Sequence, residues 1–281
     1  MDNCTCKRVN NCRTLLSIAI HRIKVALLFL IIGLYCTGTA QELPEGNRLL
    51  AQMIQTQTTE PVTAIKLGFR ILETPVGEVH DTVRAYAVNL IGGILDRQGL
   101  QAQSLRFYLQ ALEMLTAAGV RERAGYLLID IGNTYYRTKA YDLAAEKYQA
   151  AREVFTSRGD LGGIYTSVNN LGLIQREQNH FETAKSLFFE GLSIARRLPD
   201  IPFLRAHSYG YLGDLYKKMG FQDSAIVYYD SAMTIKITQK GNNLIGLNQL
   251  KVAEILLDRG DLNGAEKHLK LAEADFLADF N

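Results

Sequence analysis

Tryptophan is absent from the 281 residues, prolines number five, and no cysteine follows Cys36. So little proline leaves long stretches free to be helical, because proline removes a backbone donor and clashes with the preceding turn. With no thiol past residue 36, neither disulfide nor thiol chemistry can hold residues 41–281 together, and packing must do so. An excess of charge of one sign is missing as well. Of 31 basic residues, Lys7, Arg8, Arg13, Arg22 and Lys24 precede residue 41, as does Asp2 among 29 acidic ones, which leaves 26 basic against 28 acidic groups. That balance gives no footprint for general nucleic-acid binding. After residue 41 no apolar run reaches the roughly 20 residues that span a bilayer. There is no phosphate-cradling glycine loop and no Ser, His and Asp set in one phase. His80, His180, His207 and His268 are scattered, and Cys4, Cys6 and Cys12 lack a fourth zinc ligand. The sequence reads as no enzyme, with no cofactor and no metal.

Its first positive feature is a leader. The five cations lie in residues 1–24, an apolar run of 12 fills residues 25–36, and Gly38 and Ala40 follow. These are the three parts of a secretory signal peptide, with cleavage expected after Ala40. The alternative is an uncleaved anchor that tethers the chain to the inner membrane through residues 25–36. Either places residues 41–281 outside the cytoplasm, in the periplasm or cell envelope.

The second feature is a repeat. Gly92, Gly132, Gly172, Gly213 and Ala253 recur at spacings of 40, 40, 41 and 40 residues. Twelve positions on stand Ser104, Ala144, Ala184, Ala225 and Ala265, and four beyond those Tyr108, Tyr148, Phe188, Tyr229 and Leu269. Apolar residues between the markers keep helical spacing, as in Ala144, Tyr148, Ala151 and Phe155. Small residues let two antiparallel helices approach, and the aromatic fills the space that the next pair leaves open. Gly99, Gly220 and Gly260 share the phase of the turn inside a pair, where a helix end favours left-handed geometry. Gly119, Gly159-Asp160, Pro199, Pro202 and Gly241-Asn242 mark the turns between pairs. The spacing predicts five pairs at about 81–119, 120–159, 160–199, 200–241 and 242–281, after a degenerate capping copy over 41–80 in which Pro61 opens the second helix. The last helix carries Ala265, Leu269, Ala272, Phe276 and Phe280 on one stripe, which implies self-association or a continuation.

Such a period predicts an all-α helix-turn-helix solenoid. Gly132, Tyr135, Tyr141, Ala144, Tyr148 and Ala151 resemble the tetratricopeptide repeat (TPR) family, over about residues 47–281. The 40-residue period with Asn-Leu-Gly at 170–172 resembles the subclass found in G-protein-signalling adaptors, response-regulator phosphatases and the extracytoplasmic regions of bacterial sensor histidine kinases. The resemblance implies a right-handed superhelix and a scaffold for protein–protein interaction. That scaffold is the sensory part of a bacterial signal-transduction system or, alternatively, a free-standing periplasmic or cell-envelope adaptor.

In that family the first helix of each pair lines a concave groove. Positions one, four and five after the marker then face it: Gly93, Asp96 and Arg97 in one copy, Asn133, Tyr136 and Arg137 in the next, then Leu173, Arg176 and Glu177, and then Asp214, Lys217 and Lys218. A cation recurs in four copies, as Arg97, Arg137, Arg176 and Lys217. One reading is a groove that takes an acidic peptide segment or a free carboxylate, with Asn133 and Asn169 on the ligand backbone. The other is that cations near a helix C-terminus complement its dipole, at about 0.3–1 kcal/mol each.

Overall fold

Helix starts and stops are written into the chain. The structure, a computed structural model, describes residues 44–75, 77–120, 124–235 and 244–278. The expected leader with the four cysteines, the expected turn at Gly241-Asn242 and Phe280 lie outside the described residues. Those that are described form twelve α-helices and no strand. They are α1 (Glu45–Thr56), α2 (Pro61–Glu73), α3 (Asp81–Arg97), α4 (Gln101–Ala117), α5 (Gly125–Arg137), α6 (Tyr141–Ser157), α7 (Leu161–Glu177), α8 (Phe181–Arg196), α9 (Pro202–Lys218), α10 (Gln222–Met233), α11 (Leu244–Asp258) and α12 (Leu262–Ala278). Pro61 and Pro202 open α2 and α9, where a missing N–H costs nothing. Asp160 Oδ1 caps α7 by accepting from the Gly163 N–H at 3.0 Å, and Asp261 Oδ1 accepts from the Gly264 N–H at 2.9 Å at the start of α12.

The turn inside each pair is one device used five times. Gly99, Lys139, Asn179, Gly220 and Gly260 share a phase, and all have a positive φ, between 61° and 85°. In each case the next residue's N–H reaches back five positions to a helix carbonyl, from Leu100 to Leu95 at 3.0 Å and from Ala140 to Tyr135 at 2.9 Å. That bond satisfies an orphan carbonyl at the helix end. Lys139 and Asn179 therefore adopt a backbone that glycine occupies without strain. Lys139→Gly should raise stability by about 0.5–1 kcal/mol, strain relief being partly offset by the freer unfolded chain. A lower midpoint in urea than that of the parent would reject this account.

Packing explains the marker glycines. A methyl group added at Gly132 would stand 2.5 Å from the Tyr148 ring, and at Gly172 and Gly213 2.6 Å from Phe188 and 2.5 Å from Tyr229. The aromatic thus fills space inside its own pair, against the bare glycine of the first helix, rather than a gap left for the next pair. Tyr108, Tyr148, Phe188 and Tyr229 are buried accordingly. The fifth copy departs from this, because Ala253 already carries the methyl group that the glycines lack. Leu269 is 43% exposed, and Phe276 packs over Gly246 instead.

Helices α1 to α10 form one compact unit and α11 with α12 a second. Within the first, each second helix packs on its partner and on the first helix of the next pair. The core is a series of local clusters, such as Leu49, Met53, Ala64, Ile71 and Ile91 around α1 to α3 and Leu173, Phe188, Leu192 and Leu212 around α7 to α9. Stability is then roughly a sum of neighbouring interfaces. Among the described residues no helix is long and apolar enough to cross a membrane.

Candidate functional site

First helices α3, α5, α7 and α9 meet along one face, marked by side chains that bridge them. Arg137 on α5 pairs with Asp96 on α3, Asn170 on α7 approaches Asn133 on α5 at 3.5 Å, and Arg176 on α7 lies 3.5 Å from Asp214 on α9. Lys218 on α9 returns to Glu177 on α7 at 3.0 Å. On one helix these residues follow a spacing of three or four, as in Asp130, Asn133 and Arg137, which is a single stripe.

The second helices buttress this face through their tyrosine hydroxyls. Tyr148 Oη donates to Asn133 Oδ1 at 2.8 Å, and Tyr229 Oη donates to Asp214 Oδ1 at 2.8 Å. The ring that fills the glycine notch therefore carries its hydroxyl to the residue one place after the marker. Phe188 has no hydroxyl, and its opposite number is Leu173, which is buried at 2% exposure. Leu173 is thus a core residue and not a groove residue, since an apolar ring leaves no partner for a polar group there.

Asn169 is also displaced from its expected role. It is 2% exposed, its Nδ2 donates to the Tyr165 carbonyl at 2.8 Å, and its carboxamide lies against Gly191 of α8, where an added methyl group would come within 2.6 Å. The residue on the face is its neighbour Asn170, about 100° further round the helix. Tyr136 is half-buried with its ring 5.7 Å from that of Tyr141.

The expected cation stripe is placed but engaged. Arg97 donates to the Gln57 carbonyl at 3.2 Å and to Gln57 Oε1 at 3.3 Å. Arg137 also reaches Thr134 Oγ1 at 3.2 Å, and Arg176 holds Glu177 at 2.7 Å. Lys217 is half-buried, and it is Lys218 that makes the Glu177 bridge. Arg97 and Arg137 stand five places after the marker while Arg176 and Lys217 stand four, so the four cations do not form one row. They cross-link successive pairs more than they await an acidic ligand.

Charge states follow from this arrangement. Burial alone would lower the Arg176 guanidinium, but Asp214 and Glu177 outweigh it and raise it. Burial acts on Glu177 in the raising direction, and the hydrogen bond and charge of Arg176 together with Lys218 carry it below the ordinary range. Asp96 is raised by burial despite its pair with Arg137. Asp130, half-buried on the same stripe, is pushed up to about 7 by burial first and the like charge of Asp96 second, against Arg137 and Arg97. Among the described residues no group of three or more His, Cys, Asp or Glu side chains could hold a metal.

No family model matches the chain. It is 27% identical over 144 residues to heat shock protein STI1 of Saccharomyces cerevisiae, which is 51% of this chain and 20% of that one. The chain therefore spans about a fifth of the length of that curated relative. A Rap protein complexed with competence and sporulation factor superposes with a TM-score of 0.68 at 14% identity, over 96% of this chain and 76% of the other. NprR in complex with its cognate peptide NprX gives 0.66 at 14% identity, over 94% and 76%. The fold is a TPR-like helical repeat. At such identities the likeness is one of architecture, and it makes the stripe of α3, α5, α7 and α9 the first-helix face of a TPR-like solenoid. Sequence reasoning placed Glu177 and Asp214 on that face but passed over Asp130 and Asn170. Both were within reach: stepping back three places from Asn133 and Leu173 finds Asp130 and Asn170.

Proposed function

We propose that the chain is an exported scaffold that takes an extended protein or peptide segment along the first-helix face, as the sensory or interaction part of a bacterial signalling system. The observation that carries the reading is the Asn133–Asn170 pair. Tyr148 Oη and Asn170 Nδ2 both approach Asn133 Oδ1, which fixes the orientation of that carboxamide. Asn133 Nδ2 and Asn170 Oδ1 are left as a donor and an acceptor without a partner among the described residues, the complement of an extended main chain. The solved complexes of NprR with its cognate peptide NprX and of a Rap conjugation gene regulator with the Phr* peptide support a peptide-sized occupant by likeness of fold. An acidic segment is less favoured than the sequence suggested, because Asp96, Glu177 and Asp214 already serve the cations.

Export belongs to this proposal on the strength of the three-part leader in residues 1–40, whether cleaved or kept as a tether. Self-association through α12 belongs to it as well, supported by Leu262, Leu269, Leu271 and Leu277, all more than 40% exposed.

Random dodecapeptides displayed on phage and selected on the full chain test the reading. Peptides so obtained should bind the double variant Asn133→Ala, Asn170→Ala at least about tenfold more weakly, because each lost hydrogen bond is worth about 1 kcal/mol. Helix content by circular dichroism should not change. Undiminished binding to the double variant would sink the proposal.

A further inference from the structure

Asp130 stands one turn before Asn133 on the stripe. Its carboxylate is half-buried, and no hydrogen bond or ion pair reaches it from the described residues. The charged and titratable groups around it are Asp96 and Arg97 from α3, Tyr108 from α4 and Arg137 from its own helix. From α6 the Tyr148 hydroxyl is directed to Asn133, and from α7 the neighbour of Asn133 is the uncharged Asn170. Neither guanidinium satisfies Asp130. Arg137 is engaged with Asp96 and Thr134, and Arg97 with Gln57. A carboxylate partly withdrawn from water without a protein donor is costly. Among the described residues no group relieves it, and a cation would do so most strongly.

We propose that Asp130 selects a basic residue of the bound segment, a lysine or an arginine, while Asn133 and Asn170 hold the backbone on either side. The inference rests on the groove reading of the first-helix face and adds the chemistry of one side chain to it. It also makes binding proton-linked. Asp130 is pushed up to about 7 by burial and Asp96, whereas a lysine near 10.4 keeps its charge throughout. A cation draws Asp130 into the ionised form, so the complex sheds a proton and tightens as pH rises through neutrality.

Phage-displayed dodecapeptides selected in parallel on the full wild-type chain and on Asp130→Asn decide the matter. Wild type should enrich lysine or arginine at one position, and the variant should not. A synthetic wild-type-selected peptide, read by fluorescence anisotropy, should bind about tenfold more tightly at pH 8 than at pH 6, the change in ionised fraction one pH unit either side of 7. Against Asp130→Asn its affinity should be flat with pH and about tenfold weaker at pH 8. Exchanging the enriched basic residue for methionine should cost wild type as much and the variant nothing. Peptides that depend on Asn133 and Asn170 yet carry no basic residue, or carry the same one against Asp130→Asn, overturn the charge assignment and leave the groove standing. Peptides indifferent to Asn133 and Asn170 overturn both.

Discussion

Gly163→Ala is expected to destabilise the fold by about 2–4 kcal/mol, although alanine is the better helix former. The new methyl group would lie 2.2 Å from the Phe155 ring, a distance that real contacts do not show. The ring has nowhere to go. On its other side Gly125 of α5 is so close that a methyl group there would meet it at 2.8 Å, and Tyr126 packs edge-on with ring centroids 4.7 Å apart. Relief must come from moving the start of α7, which also disturbs the Asp160 cap on the Gly163 N–H. Overpacking costs about 1–3 kcal/mol and a lost cap about 1. Gly93→Ala is the control. Its nearest neighbours would be 3.6 and 3.7 Å away, so helix propensity alone should stabilise by up to about 1 kcal/mol. Urea denaturation of both variants, and of Gly163→Ala with Phe155→Leu, separates the causes. Shrinking the ring should recover at least about 1 kcal/mol of the loss, and perfectly additive effects would refute the steric explanation.

Asp130→Asn should do the reverse and strengthen the fold, by an amount that depends on pH. The folded carboxyl is pushed up to about 7 from its ordinary 3.8. Between those values the folded chain holds a proton that the unfolded chain gives up, so stability falls as pH rises from about 4 to about 7 and is level above. That difference is worth roughly 4 kcal/mol at 1.36 kcal/mol per pH unit. Water reaching a half-buried group trims it to about 1–3. Asparagine has the same shape and no charge to desolvate, so the advantage of the variant should be near zero at pH 4 and full at pH 8. An advantage that is the same at pH 4.5 and pH 8 would contradict the assignment. Because the variant is the more stable protein at pH 8, any loss of peptide binding there is a loss of recognition and not of fold.

How much could be seen beforehand differs by kind of feature. The helical repeat was legible because its causes are local or periodic: markers 40 residues apart, turn glycines in phase, prolines at helix starts. Even the two left-handed turns without glycine, at Lys139 and Asn179, fall at the phase that Gly99, Gly220 and Gly260 define. The site was half legible. Counting from the marker found the helices whose side chains bridge one another and placed Asn133 and Arg137 on that bridged face, but one position on a helix is 100°, and that error separates the interior Asn169 from the face residue Asn170. Whether the place after the marker is polar and open depended on a residue 15 positions later, tyrosine in the case of Asn133 and phenylalanine in the case of Leu173. The cation stripe failed for a related reason. Partners of its arginines lie about one repeat away, Asp96 for Arg137 at 41 positions and Gln57 for Arg97 at 40.

The sequence by itself determined an all-α chain of paired helices, the recurrence in phase of a marker glycine and an aromatic in four of the pairs, and the absence of any thiol after residue 36. Hydrophobic period, turn chemistry and side-chain volume are properties of a segment, so the chain carries them without reference to its fold. The tertiary structure alone decided which polar groups on the first-helix face are already satisfied. Hydrogen bonding and burial are properties of a group's neighbours, and those are supplied by helices a full repeat away. Folding therefore engaged the arginines that the sequence put forward and left Asn133, Asn170 and the Asp130 carboxylate with unmet bonding capacity.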